Sequence, residues 1–254
     1  MPLPVISPMD LTGSTVLVTG ASSGIGRETA ILLSTLNARL VITGRNAERL
    51  EQTRSCLSGE GHLAEVFDLS NLEQIPKWVR SVAAKVGPLK ALVHAAGEQY
   101  MSPIRFVTAK AVDDLFKTNL QSAVMLAQGF CHKTCHTPES SMVFFSSVLG
   151  LSGKPAMSVY GASKAGLLGL AQSLAAELAA DRIRVNCIAP AYVQTEMLDQ
   201  IREWPEQFAA LEKQHPLGFG TPRDVANAVA FLVAETGRWI TGSTLVVDGG
   251  YSNR

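Results

Sequence analysis

Tyr160 and Lys164 stand four residues apart in Tyr160-Gly161-Ala162-Ser163-Lys164. On a helix that spacing puts a phenol and an ammonium on one face, a turn apart. A phenol with its ordinary pKa of about 10 is a poor proton donor or acceptor near neutrality. A neighbouring positive charge changes this by stabilising the phenolate. The pair suits proton exchange with a carbonyl or alcohol oxygen, Lys164 supplying the positive charge. Thirteen residues before the tyrosine, Ser147 stands at the end of an apolar run, where its hydroxyl can bond the same oxygen. Ser146 is adjacent, and alternation along a strand sends its side chain the other way.

A second constellation, Thr19-Gly20-Ala21-Ser22-Ser23-Gly24-Ile25-Gly26, follows a β-branched run and opens a helical stretch. In that context Gly20 permits a sharp turn, Gly24 lets a pyrophosphate approach the backbone, and Gly26 allows close helix packing. The phosphates would then sit at a helix N-terminus. The next run ends in Thr43-Gly44-Arg45, with no carboxylate to take the ribose 2′-hydroxyl of NAD. Arg45 offers a forked, charge-assisted contact to a 2′-phosphate, which predicts NADP(H) over NAD(H).

These residues need a scaffold, and the chain alternates as a βαβ succession does. Short apolar, often β-branched runs predict seven strands at Thr15–Thr19, Leu40–Thr43, Ala64–Phe67, Ala91–His94, Met142–Phe145, Arg184–Ile188 and Thr244–Val247. Helical spacing lies between them, as in Glu28 to Leu33 and Ala47 to Leu57. Nearly all-apolar strands imply an α/β fold: a doubly wound parallel sheet with helices on both faces. An eight-stranded β/α barrel is the competitor, and it has no need of the glycine turn. Residues 191–220 form the longest interval without a strand, contain Trp204, Phe208 and Phe219, and are expected to be a lid.

Composition narrows the function. The 254 residues are 46% hydrophobic and 17% charged, enough apolar material for one large domain and too little charge for a disordered chain. Lys+Arg and Asp+Glu both number 22, so the general attraction behind non-specific nucleic-acid or acidic-membrane binding is missing. No apolar run approaches a bilayer span. The start, MPLPVISPMD, has three prolines and no basic residue, unlike a signal peptide. A cytoplasmic protein with a loose leader over residues 1–10 is expected. The four cysteines, Cys56, Cys131, Cys135 and Cys187, make no disulfide framework. Cys131 and Cys135 would share a helix face, with Pro138 marking the helix end, but their spacing matches no zinc pattern and no metal is expected.

The glycine turn TGASSGIGR, the YGASKAG segment, RVNCIAP, His215-Pro216-Leu217-Gly218 and the terminal VDGG resemble the short-chain dehydrogenase/reductase family. Within it they are most similar to 3-oxoacyl-(acyl-carrier-protein) reductases. The resemblance spans roughly residues 11 to 251 and implies a single Rossmann domain over 1–254. It implies Asn119, Ser147, Tyr160 and Lys164 as catalytic, Asn119 holding a water that links the lysine to solvent. It implies cofactor contacts from Gly20, Ser22, Ser23, Gly24, Ile25 and Gly26, and adenine binding by the Asp68 side chain and the Leu69 amide. Ala96 and Gly97 give small backbone beside the cofactor, with Tyr160, Lys164, Pro190, the Val193 backbone and the Thr195 hydroxyl completing the set. Two departures stand out. His94-Ala95-Ala96-Gly97 replaces Asn-Asn-Ala-Gly, which removes an amide that braces neighbouring strands; Ala191 replaces a glycine. His94 reads as structural.

Substrate contacts are expected from Glu98 to Pro103, Leu149 to Met157 and the lid from Tyr192 to Phe219. Met101, Leu151, Met157, Met197, Trp204 and Phe208 would make that cleft apolar, suiting an acyl chain, carrier-protein-bound or free, or another hydrophobic ketone, though several would serve to pack the lid. A sugar, polyol or hydroxysteroid is the alternative substrate, and an NADP-sensing scaffold the non-catalytic one. The resemblance also implies a homotetramer, with a dimer second, built on the helices carrying Asn119 and Tyr160 and on the C-terminal strands. Ala165, Leu168, Ala171, Leu174 and Leu178 supply small and apolar faces there.

Overall fold

Thr15–Thr19 (β1) is buried along its whole length, as a β-branched strand in the middle of a covered sheet must be. Val16 and Val18 face one core while Leu17 faces the other, the alternation that a pleated strand imposes. Around it the computed structural model, which describes residues 7–196, 198 and 205–253, arranges β2 (Arg39–Gly44), β3 (Leu63–Val66), β4 (Leu89–His94), β5 (His136–Phe145), β6 (Arg184–Pro190) and β7 (Thr244–Val247). They form one seven-stranded sheet in the order β3-β2-β1-β4-β5-β6-β7, with every neighbouring pair parallel. The sheet is open, so the barrel alternative falls. Each predicted strand is present.

Helices α1 (Gly24–Thr35), α2 (Ala47–Ser55), α3 (Ile75–Val86), α4 (Ala109–Phe116), α5 (Ser122–Phe130), α6 (Ser158–Glu177), α7 (Pro205–Glu212) and α8 (Pro222–Val233) complete the fold. Local chemistry starts several of them. Asn46 caps α2 by accepting from the Arg49 N–H, and Thr221 with Asp224 forms a capping box on α8, where Pro222 takes the first turn. Leu33, Leu50, Val225 and Val229 cover one face of the sheet. Val79, Val82, Leu126, Phe130, Leu167 and Ala171 cover the other. This is a doubly wound, Rossmann-like fold. Of the residues expected to form an outer face near α6, Ala171 and Leu178 are buried, Leu168 and Leu174 lean on the same core, and Ala165 is exposed.

Two local expectations are corrected. Cys131 and Cys135 do not share a helix, because α5 ends at Phe130 and the chain turns before β5. Pro138 lies inside β5, where the register jumps from Leu89↔His136 to Ala91↔Ser141. A bulged stretch tolerates a residue with no N–H to donate. Of the expected leader only residues 7–10 are described: Asn37 donates to the Asp10 carboxylate at 2.7 Å, and Met9 packs on the core.

Candidate active site

β1 lies between β2 and β4, so the chain winds away from it in both directions and a crevice opens past the C-terminal strand ends. The β1–α1 turn forms one wall. Gly20 has φ +66°, and a Cβ there would lie 2.6 Å from the Ala96 nitrogen. A Cβ on Gly26 would lie 2.3 Å from the Gly20 oxygen, so only glycine lets this turn close on itself. Ser23 caps α1 in extended conformation without using its hydroxyl as a cap, and the first turn holds no acidic side chain. Positive dipole and unmet N–H groups face the crevice, a cradle with the shape and charge for a pyrophosphate. Ile25 packs on the core, and the Thr195 methyl is 3.4 Å from a Cβ built on Gly24. Gly44 makes room for Ser22, whose Oγ would lie 3.1 Å from a Cβ there.

The rim of the crevice past β2 and β3 is ringed by charge. Arg45 Nη2 is 3.0 Å from Glu98 Oε1, which reaches over from the β4 end. Asp68, past β3, accepts from the Ser70 N–H at 2.9 Å. That bond leads the causes holding its carboxyl below the usual range, and the charges of Arg45 and Lys117 add to it. The Leu69 side chain is buried in the core. Past β6, which ends at Pro190, Val193 pairs with Gly220, and the Thr195 hydroxyl donates to the Val193 carbonyl at 3.3 Å. Glu196 pairs with Arg49 of α2, tying this loop across the crevice.

Beyond β5 the reactive groups meet. Ser147 caps a short helical turn, accepting from the Leu149 N–H at 3.2 Å. Burial pushes the Tyr160 phenol above its usual pKa; the Ser147 hydroxyl nearby opposes this and Tyr192 adds to it. Lys164, almost fully buried, donates to the Phe145 carbonyl at 2.8 Å, and its Nζ is 5.8 Å from the Tyr160 ring centre. Burial lowers the ammonium to about 8, still mostly charged at neutral pH. Ser146 turns away, as alternation predicts, donating to the Lys164 carbonyl at 2.8 Å. Asn119 is fully buried in a wide π-helical turn, Lys117–Gln121, between α4 and α5. Its Nδ2 donates to the Glu98 carbonyl at 2.9 Å and to Ser163 Oγ at 3.0 Å; its Oδ1 accepts from the Glu98 N–H at 2.8 Å. A Cβ on Gly97 would lie 3.1 Å from Lys164 Nζ and 3.3 Å from Asn119 Oδ1, which closes the floor of the site.

Several contributors escape a reading of the chain alone. Ser163, between the tyrosine and the lysine, bonds both Asn119 and the Tyr160 carbonyl. His94 bonds Thr19 Oγ1 at 2.8 Å and Ser122 Oγ at 3.2 Å, so it braces β1, β4 and α5 one residue before Ala95, which lacks the expected bracing amide. Burial drops its pKa to about 3, which keeps it neutral and structural. The expected apolar cleft is only partly present. Met157 packs beside Tyr160 with Val148 and Leu149, Phe208 packs on Phe219, and Met101 and Leu151 are exposed. Met197 and Trp204 lie outside the described residues. Lys154 instead donates to the Tyr192 hydroxyl, and Tyr251 stacks on His215 from the C-terminal end.

A family model described as enoyl-(acyl carrier protein) reductase matches residues 20–252. The chain belongs to the short-chain dehydrogenase/reductase family. It is 36% identical over 243 residues to the 3-oxoacyl-(acyl-carrier-protein) reductase FabG of Rickettsia felis, covering 95% of this chain and 98% of that one. A Sinorhizobium meliloti structure described as a short-chain alcohol dehydrogenase superposes with a TM-score of 0.89 at 33% identity, over 96% and 98% of the two chains. An Agrobacterium tumefaciens structure described as a 2-deoxy-D-gluconate 3-dehydrogenase, with bound NADP, gives 0.87 at 28% identity, over 98% and 100%. As a member of this short-chain dehydrogenase/reductase family the chain is an oxidoreductase.

Proposed function

We propose that the protein reduces a ketone with NADPH, acting on 3-oxoacyl thioesters of the kind carried by acyl carrier protein. The observation that carries this is the meeting of Ser147, Tyr160 and Lys164 beside a glycine cradle whose adenosine end presents Arg45. The cradle at Gly20–Gly26 would hold the pyrophosphate, Arg45 the 2′-phosphate, Asp68 and the Leu69 amide the adenine. Ala96, Gly97, Pro190, Val193 and Thr195 would line the path to Tyr160 and Lys164. NADPH, when bound, supplies the hydride. The protein's own part is proton delivery: Tyr160 Oη gives its proton to the substrate oxygen while the Ser147 hydroxyl holds that oxygen. A phenol raised by burial is fully protonated at neutral pH, the form a reductase needs at the start of the step. Lys164 then stabilises the phenolate, and Asn119 holds the Glu98 backbone and Ser163 in place behind it.

Oxidation of NADPH and NADH with an acetoacetyl thioester, then with apolar and sugar ketones, tests this, with Tyr160→Phe as control. Turnover with NADPH that the variant loses supports the reading; preference for NADH would overturn the Arg45 assignment. A sugar-type substrate is the second reading. The Lys154–Tyr192 contact favours it, because it makes one stretch of the expected substrate wall polar. The expected tetramer draws support from exposed small residues at Ala162, Ala165 and Gly169 on α6, and from Trp239, Leu245 and Val246, exposed on and before the edge strand β7. A lone molecule would leave these faces wet, and sedimentation would read their burial in an assembly.

A further inference from the structure

Arg45 and Glu98 belong to different strand ends with β1 between them, and their side chains meet at 3.0 Å across that gap. The Glu98 backbone has little freedom. Asn119 binds both its N–H and its carbonyl, and Gly97 before it is pressed against Lys164 and Asn119. What can move is the Glu98 side chain, which ends on the guanidinium. The pair is open to water, 68% and 45% exposed, so it is weak and readily exchanged. Asp68 stands close enough to feel the same guanidinium. Arg45 is therefore already neutralised by carboxylates at the place where a 2′-phosphate would need it.

We propose that Glu98 determines cofactor discrimination, as a built-in competitor that occupies Arg45 until a 2′-phosphate displaces it. The inference rests on Arg45 being the 2′-phosphate contact. A phosphate carries more charge and more acceptor oxygens than the carboxylate and takes the guanidinium from it. A ligand with a bare 2′-hydroxyl offers no such exchange, and the Arg45–Glu98 contact stays closed beside it. Glu98 thus lowers affinity for 2′-phosphorylated ligands and leaves the others alone, which holds the NADP(H) site at moderate affinity and favours release.

Calorimetric binding of 2′,5′-ADP and of 5′-AMP, at one low ionic strength, tests this without turnover. The full chain is compared with Glu98→Gln, Arg45→Gln and the double variant. Glu98→Gln is expected to tighten 2′,5′-ADP by about three- to fivefold, the scale of an exposed ion pair, and to leave 5′-AMP unchanged. Arg45→Gln is expected to weaken 2′,5′-ADP, and on that background Glu98→Gln should do nothing more. Tightening of both ligands alike, or no tightening of 2′,5′-ADP in a protein that prefers it, would overturn the proposal while leaving the Arg45 reading intact. Equal affinity of the unsubstituted protein for the two ligands would overturn both.

Discussion

Lys164 and Arg45 are both cations set beside the same crevice, and the molecule treats them differently. Lys164 is buried, bonded to a backbone carbonyl, and enclosed by Asn119, Gly97 and the Tyr160 ring. Arg45 is two-thirds exposed and bonded to a carboxylate that water can replace. Away from water, a polar contact costs much to break and holds its geometry; at the rim the same contact is screened and exchanges freely. Proton transfer needs the first kind of setting, and selecting a ligand phosphate needs the second.

Breaking the buried side should have the largest effect. Tyr160→Phe should reduce ketone turnover by about 10²- to 10⁴-fold, the range of a lost general acid, while dinucleotide binding by fluorescence persists; near-normal turnover would remove the tyrosine from its role. His94 carries the next effect. Folded, it binds a proton only near pH 3, whereas the unfolded chain takes one near 6.5. The unfolded state binds more protons in that window, so stability falls as pH drops from 6.5 toward 3, by up to roughly 4 kcal/mol from this residue. Urea unfolding of His94→Gln should show a flatter acid limb than the unsubstituted protein, and an unchanged limb would place the acid sensitivity elsewhere.

Gly26→Ala sharpens the comparison at the cradle. Its Cβ would meet the Gly20 oxygen at 2.3 Å, and no rotamer relieves a backbone clash, so a loss of about 1–3 kcal/mol is expected with weakened dinucleotide binding. Unaltered unfolding and binding would mean the turn can relax. The rim should yield least. Arg49→Gln breaks the pair with Glu196, which is exposed on both sides, and calorimetry should find no measurable shift in melting temperature. A clear shift would show that this contact anchors the loop after β6 to α2.

Much of this was legible along the chain because it is local. The βαβ rhythm, the glycine turn and the Tyr160–Lys164 spacing each depend on residues a few positions apart, and backbone periodicity places them without help. Alternation likewise put Ser146 and Ser147 on opposite faces, and the family resemblance chose between them. The apolar cleft was less legible, since a methionine or phenylalanine has the same pattern whether it lines a cavity or, as Phe208 does, packs on another aromatic ring. The shared helix expected for Cys131 and Cys135 failed because nothing nearby in sequence announces where α5 stops.

By itself, then, the sequence determined the strands, the helices around them, the cradle and the reactive pair, all consequences of short-range pattern. Tertiary structure decided which carboxylate faces Arg45, 53 residues away, and that His94 ties β1, β4 and α5 together by bonding Thr19 and Ser122. It also decided that Asn119 sits in a π-helical turn behind Lys164. Those facts depend on which distant side chains the sheet brings within three ångströms or so of each other, and on how much water it leaves between them, and neither is written in any local stretch of chain.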